Sequence, residues 1–487
     1  MDGSRGPRSS HGTGTRAVAG VGCVLATVAV VAAALVAFTG TAAAHGAAVE
    51  TPPIPLLALF SGAAFAVGGT AVALAVGPDP PTGRVRLGAV HARTVRVIHA
   101  VVRAGAVVAL AVAVVAGLTS TAAVSFAEVF VWPVLFKGSL VVAAVVGSPW
   151  RLVSPWHLAY DAISAVEGDE LGRWSYPDRL GSWPAVVGLV AVVGVAENLT
   201  VVPDDGRLTV VLLAAYGIAA VLAAVAFGRE ALRRADALAV LYRLAGRVAP
   251  LAFERDDDRV IAFLRPPWVG STRPLRDVST AAFVVVAAGT VTFDGAVETA
   301  GAARALAELA RFVGAYAGLV LYGGVLVAFL AGAVLTRRAV AAAAGASAVA
   351  GDGGRVDDGG DPAVDRAAVA RRQARVLAAT LLPIAVAYDV AHNYAYVLVN
   401  ATRALDRAAD AAGVALALDP GSALAPVVVW TTQVALVVGG HLVAVVAAHL
   451  ATERTFPDPR RARRGHAPLA ALMVAYTVVS LYVLAAA

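Results

Sequence analysis

Ten runs of about twenty Ala, Val, Leu, Gly and Ile residues, separated by loops that carry most of the charge, leave this chain almost one way to fold. In hydrocarbon, backbone N–H and C=O groups must find partners within the protein. An α-helix provides them, and about twenty residues at 1.5 Å each cross a core of roughly 30 Å. The runs fall at 55–77, 101–120, 126–147, 182–201, 207–227, 278–294, 312–335, 376–400, 425–449 and 467–486. The expected fold is therefore all-α: a polytopic transmembrane helical bundle of about ten spans after an N-terminal signal segment. Composition agrees, with 59% hydrophobic and 15% charged residues, against about 45–50% and 25% in soluble domains.

Arg5, Arg8 and Arg16 precede an apolar stretch at 17–38, and Ala42-Ala43-Ala44 offers a small-residue cleavage site before His45. That pattern predicts a signal peptide or signal anchor over 1–44 and a membrane domain over 45–487. With His45 outside, five internal loops collect most of the arginines, ten of them between Arg229 and Arg276. The outer loops hold only Arg207, Arg304, Arg311, Arg403 and Arg407. Positive charge on the inner side sets the expected topology, with both mature termini extracytoplasmic. The same placement explains the net charge of +6 without a nucleic-acid partner. The single cysteine, Cys23, lies in the signal segment and leaves no disulfide framework or thiolate metal site.

Two cytoplasmic loops, 228–277 and 336–375, are long enough to carry structure. Residues 229–246 set Leu232, Leu238, Leu241 and Tyr242 apart from Arg233, Arg234 and Arg243, which predicts an interfacial amphipathic helix. Two extended runs around Asp256-Asp257-Asp258 read as a hairpin. The Ala-, Gly- and Asp-rich stretch 340–365 reads as a disordered linker.

Ionisable groups inside spans are costly and mark candidate sites. The eighth span is richest: Asp389 and His392 are spaced i,i+3 and share a face. A carboxylate beside an imidazole can fix its tautomer, serve a metal ligand or relay protons; locking two helices together is the plainer role. The ninth span carries Gln433, His441 and His449 on one stripe, with Gly439-Gly440 permitting close helix approach. His449 reaches the inner surface and reads as interfacial. Counting residues along the spans brings Glu197, Asp294, His392 and Gln433 to a similar outer depth on four helices. Carboxylates with imidazole at one level suit a divalent metal, another cation or a hydrolytic water. Depth follows from the count; lateral proximity does not. Lys137 stands mid-span without a carboxylate partner on its own helix, since Glu128 lies too far along it; snorkelling or anion binding are its other readings. A processed terminus at His45 would offer an α-amine and an imidazole, a pair that suits Cu(II). No P-loop, dinucleotide fingerprint, HExxH or GxSxG occurs.

Several short motifs run through the chain: Ala44-His45-Gly46 with Pro53-Ile54-Pro55, Ser154-Pro155-Trp156, Tyr176-Pro177-Asp178-Arg179-Leu180-Gly181, Arg265-Pro266-Pro267, Phe293-Asp294-Gly295, Ala391-His392 and Gln433 through Gly440-His441. In these the chain resembles a prokaryotic family of multi-spanning proteins commonly labelled fenitrothion hydrolase. The resemblance covers most of the mature chain and implies a plasma-membrane protein able to hydrolyse an organophosphate ester. Ser154 and the 340–365 insert depart from the family pattern.

Four functional expectations follow. The leading one is a transporter or permease-like protein for a small solute or ion, embedded in the lipid bilayer, with an outward-facing polar site. A membrane-embedded hydrolase would use the same groups, with His392, His441 or Asp389 in catalysis and His392, Asp294, Glu197 and Gln433 as candidate ligands of a divalent metal. The others are copper handling through His45 and a structural membrane subunit.

Overall fold

The structure is a computed structural model that describes residues 54–121, 124–344, 362–411, 413–416, 425–456 and 458–486. Ten helices among the described residues are long and apolar enough to cross a membrane. Eight long helices carry most of the span sequence: α1 Leu56–Val76, α2 Ala92–Thr119, α3 Phe126–Val146, α5 Asp178–Glu197, α6 Gly206–Phe227, α8 Val278–Val297, α9 Ala317–Ala343 and α10 Leu382–Ala411. Two more, α11 Pro426–Thr455 and α12 Pro459–Ala486, close the bundle; the shorter α4 Pro155–Glu167 and α7 Ala237–Ala245 lie between spans. Helices α1, α2 and α6 keep large apolar side chains such as Phe65, Val108 and Leu222 exposed. Water would penalise that surface at about 25 cal/mol per Å²; hydrocarbon does not. Helices α8, α10 and α11 are the most enclosed.

Close approach is paid for in side-chain volume. At Gly440 of α11 an added Cβ would lie 2.8 Å from the Pro383 carbonyl oxygen of α10, so those helices meet almost backbone to backbone. Neighbouring Gly439 faces open space, so one glycine of the pair makes the contact.

Two spans are not regular α-helix. α3 is π-helical over Val131–Lys137 and α5 over Leu189–Glu197. Pro133 lies inside the first segment and has no N–H to give to the ordinary ladder. Each segment ends on a charged residue, Lys137 or Glu197. Such wide turns rotate the side chains that follow and are frequent at functional sites.

The expected interfacial helix at 229–246 is instead two pieces, Arg229–Arg234 and α7, broken at Asp236. α7 is not laid on a surface: Leu238, Val240, Tyr242, Leu244 and Ala245 are buried in the main apolar cluster with Trp132, Trp150 and Phe283. The reason is Asp236. Its carboxylate caps α7 by accepting from the Leu238 N–H at 3.0 Å, and it also accepts from the Trp150 and Trp156 indoles at 2.9 and 2.6 Å and from Tyr216 Oη at 3.0 Å. Four donors satisfy one buried charge and draw the segment inward.

The expected hairpin is present, with β2 Leu251–Asp256 antiparallel to β3 Arg259–Leu264. Asp257 takes φ 47°, the left-handed conformation that a two-residue turn requires and Asp tolerates. A third strand, β1 Val85–His91, pairs with the far edge of β3 and was not foreseen. The stretch 340–365 is helical at its edges, to Ala343 and from Pro362; its middle lies outside the described residues. The signal segment 1–44 and His45 also lie outside them.

Candidate intramembrane charge site

Lys137 is the centre of the site. Its Nζ lies 2.9 Å from Glu197 Oε1 on α5, 3.5 Å from Asp294 Oδ2 on α8 and 3.7 Å from Asp389 Oδ1 on α10. His392, one turn beyond Asp389, approaches the same Asp294 oxygen, with Nε2 at 3.9 Å. All five side chains are largely enclosed, from 8% exposed at Asp389 to 17% at Asp294.

Local geometry holds each group. The π segment of α3 ends at Lys137, and the Tyr242 hydroxyl of α7 donates to the Phe136 carbonyl at 3.0 Å, bracing that turn. Asn393 donates through Nδ2 to the Asp389 carbonyl at 3.0 Å and to Oδ1 at 3.2 Å, which orients the carboxylate. Gly194 lets Tyr322 of α9 lie directly against the π segment of α5, where any Cβ would meet its ring. Tyr322 is fixed there by a 2.7 Å bond between its hydroxyl and Thr290.

Beside the charges lies a cavity of about 60 Å³. Its wall is apolar, built from residues such as Leu189, Val193, Phe283 and Val386, and α7 closes it with Leu241, Tyr242 and Leu244. Lys137, Glu197 and Asp389 also line it. By volume it holds a few water molecules or the apolar part of a small solute.

Of the groups expected at one depth, Glu197, Asp294 and His392 come together, joined by Asp389. Gln433 is half-buried on α11 and makes none of these contacts. His441 is elsewhere: fully buried, with Nδ1 2.8 Å from the Val437 carbonyl oxygen and its ring edge-on to Tyr476, their centroids 5.7 Å apart. The residue that sequence reasoning missed as the organiser is Lys137. Its signal was available: it is the single lysine of a chain whose other strong bases are all arginine, and it sits mid-span.

The arrangement bears on the metal expectation. The Lys137 ammonium sits where Glu197, Asp294 and Asp389 converge, the position a cation ligated by these carboxylates would take. Among the described residues, the one set of three His, Asp or Glu ligand atoms within 4.8 Å of one another is at Asp79, His449 and Glu453. The charge site can bind and pass protons, or exchange its ammonium contacts for a small cation. Comparison with protein-family models, curated proteins and solved structures finds no match, so the site itself carries the functional argument.

Proposed function

We propose that this chain is a membrane carrier whose transport step is coupled to protons or a small cation at the Lys137 cluster. The observation that carries the reading is the charge balance. One ammonium faces three carboxylates within 3.7 Å, on four different helices and largely enclosed. Fully ionised, the group carries two unbalanced negative charges, which a membrane interior strongly disfavours. Neutrality comes when protons or a cation bind. Each arrival or departure changes the force between α3, α5, α8 and α10, as a carrier needs when a site must alternate between two accesses. His392, beside Asp294, is the natural path for protons into the cluster, and the apolar cavity is the natural seat for a solute. The arginine distribution supports an outward direction for the His392 side.

The test is charge movement. Reconstituted protein on a solid-supported membrane should give transient currents on jumps of pH or of monovalent cation concentration. Asp389→Asn and Asp294→Asn should each reduce them at least tenfold while the protein remains folded. Wild-type currents no larger than those of protein-free vesicles for every jump would refute the reading.

A further inference from the structure

A second group of ionisable side chains lies at the arginine-rich end of the bundle, apart from the Lys137 cluster. Asp79 follows α1 by three residues, His449 and Glu453 occupy the last two turns of α11, and His466 lies early in α12. Ligand atoms of Asp79, His449 and Glu453 all lie within 4.8 Å of one another, and His449 Nε2 is 3.4 Å from Glu453 Oε1. A tetrahedral ion with bonds of about 2.1 Å separates its ligand atoms by about 3.4 Å. The His449–Glu453 pair already has that spacing, and an oxygen of exposed Asp79 lies within 4.8 Å of both.

His466 supplies the independent observation. Its ring is 5.3 Å from that of His449, it is only 3% exposed, and its Nε2 has no hydrogen-bond partner. Its unpaired nitrogen belongs to a ring packed against His449, just outside the set of three. Without an ion, a buried unpaired ring nitrogen is a net cost.

We propose that Asp79, His449, Glu453 and His466 bind one divalent transition-metal ion, zinc being the borderline ion that two imidazoles and two carboxylates suit. Two carboxylates neutralise the dication, so the loaded site adds no net charge at the membrane edge. The ion ties the loop after α1 to the α11–α12 turn.

The experiment uses full-length protein in detergent, stripped with a chelator and titrated with Zn²⁺ by calorimetry. Wild type should bind one ion per chain. Glu453→Gln changes an exposed residue and should leave the protein monodisperse while weakening Zn²⁺ at least tenfold; His449→Gln should do the same. His466→Phe fills its buried site with a ring and should weaken binding as well. Asp389→Asn, in the other cluster, should bind as wild type does, which separates this site from the carrier reading. No Zn²⁺ bound by wild type, or wild-type affinity in Glu453→Gln and His449→Gln, overturns the site; wild-type affinity in His466→Phe alone overturns the fourth ligand.

Discussion

Replacing Lys137 by Met removes the ammonium shared by Glu197, Asp294 and Asp389 while keeping a side chain of similar length in the same π turn. Removing one partner of a buried ion pair costs about 3–5 kcal/mol, because the remaining charge is left uncompensated. The loss has a ceiling, since a stranded carboxylate can regain neutrality by taking a proton from solution. For one Glu with an ordinary titration near 4.3, that costs about 1.36 kcal/mol per pH unit, so about 4 kcal/mol at pH 7 and about 1 kcal/mol at pH 5. The folded variant then holds a proton that its unfolded chain does not, so its stability relative to wild type must rise as pH falls. Thermal unfolding in nanodiscs, followed by tryptophan fluorescence from pH 5 to 8, reads this directly. Lys137→Met should be much less stable at pH 7 and recover most of the difference by pH 5. Adding Glu197→Gln should restore most of the loss at pH 7, because the two changes act on one interaction. A pH-independent deficit, or additive effects of the two changes, would refute the charge-balance argument.

Other outcomes follow from single contacts. Asp236→Ala strands two indole donors, a tyrosine hydroxyl and the cap of α7, and should cost at least about 3 kcal/mol by thermal unfolding; Asp236→Asn, which keeps an acceptor, should cost less. Gly194→Ala drives a methyl group into the Tyr322 ring and should destabilise by about 1–3 kcal/mol, with partial rescue when Tyr322 is replaced by Ala. Burial alone would push the Asp277 carboxyl up, but hydrogen bonds from Ser279 and Thr280 and the Arg234 charge hold it below its ordinary range. That stability is present above the ordinary carboxylate range and is lost as pH falls through the lowered value, so Asp277→Asn should flatten the acid limb of stability below about pH 4.

The sequence constrained this molecule along the membrane normal far better than across it. Hydrophobic length set the ten spans, and counting residues put Glu197, Asp294 and His392 at one level, where they stand. Which helices are neighbours depends on packing that no periodicity encodes, so Gln433, at the same expected depth, falls outside the site. Counting also assumes a uniform helix. The π turns of α3 and α5 break that assumption just where Lys137 and Glu197 emerge, which hid their pairing. Segment 229–246 failed for a different reason. Its apolar face was legible, but whether that face meets lipid or protein was decided by Asp236 and its partners on α6 and the Trp150–Trp156 stretch. The short motifs gain meaning in that light: Trp156 of Ser154-Pro155-Trp156 bonds Asp236, and Arg265 of Arg265-Pro266-Pro267 donates to the Gly246, Arg247 and Ala249 carbonyls just past α7. Both help hold the helix that closes the cavity. β1 was missed because it pairs with β3 from far along the chain, where no turn links the two strands.

In the proposed carrier the Lys137 cluster exchanges protons or a cation inside the membrane. Difference infrared spectroscopy of the carboxyl C=O stretch, recorded on reconstituted protein through a pH step and a cation step, reads that exchange at the carboxyls themselves. Wild type should show a protonated-carboxyl band that changes with either step and is lost or shifted in Asp389→Asn and Asp294→Asn. A wild-type spectrum with no such band under any condition, or one unaltered in both variants, would contradict it.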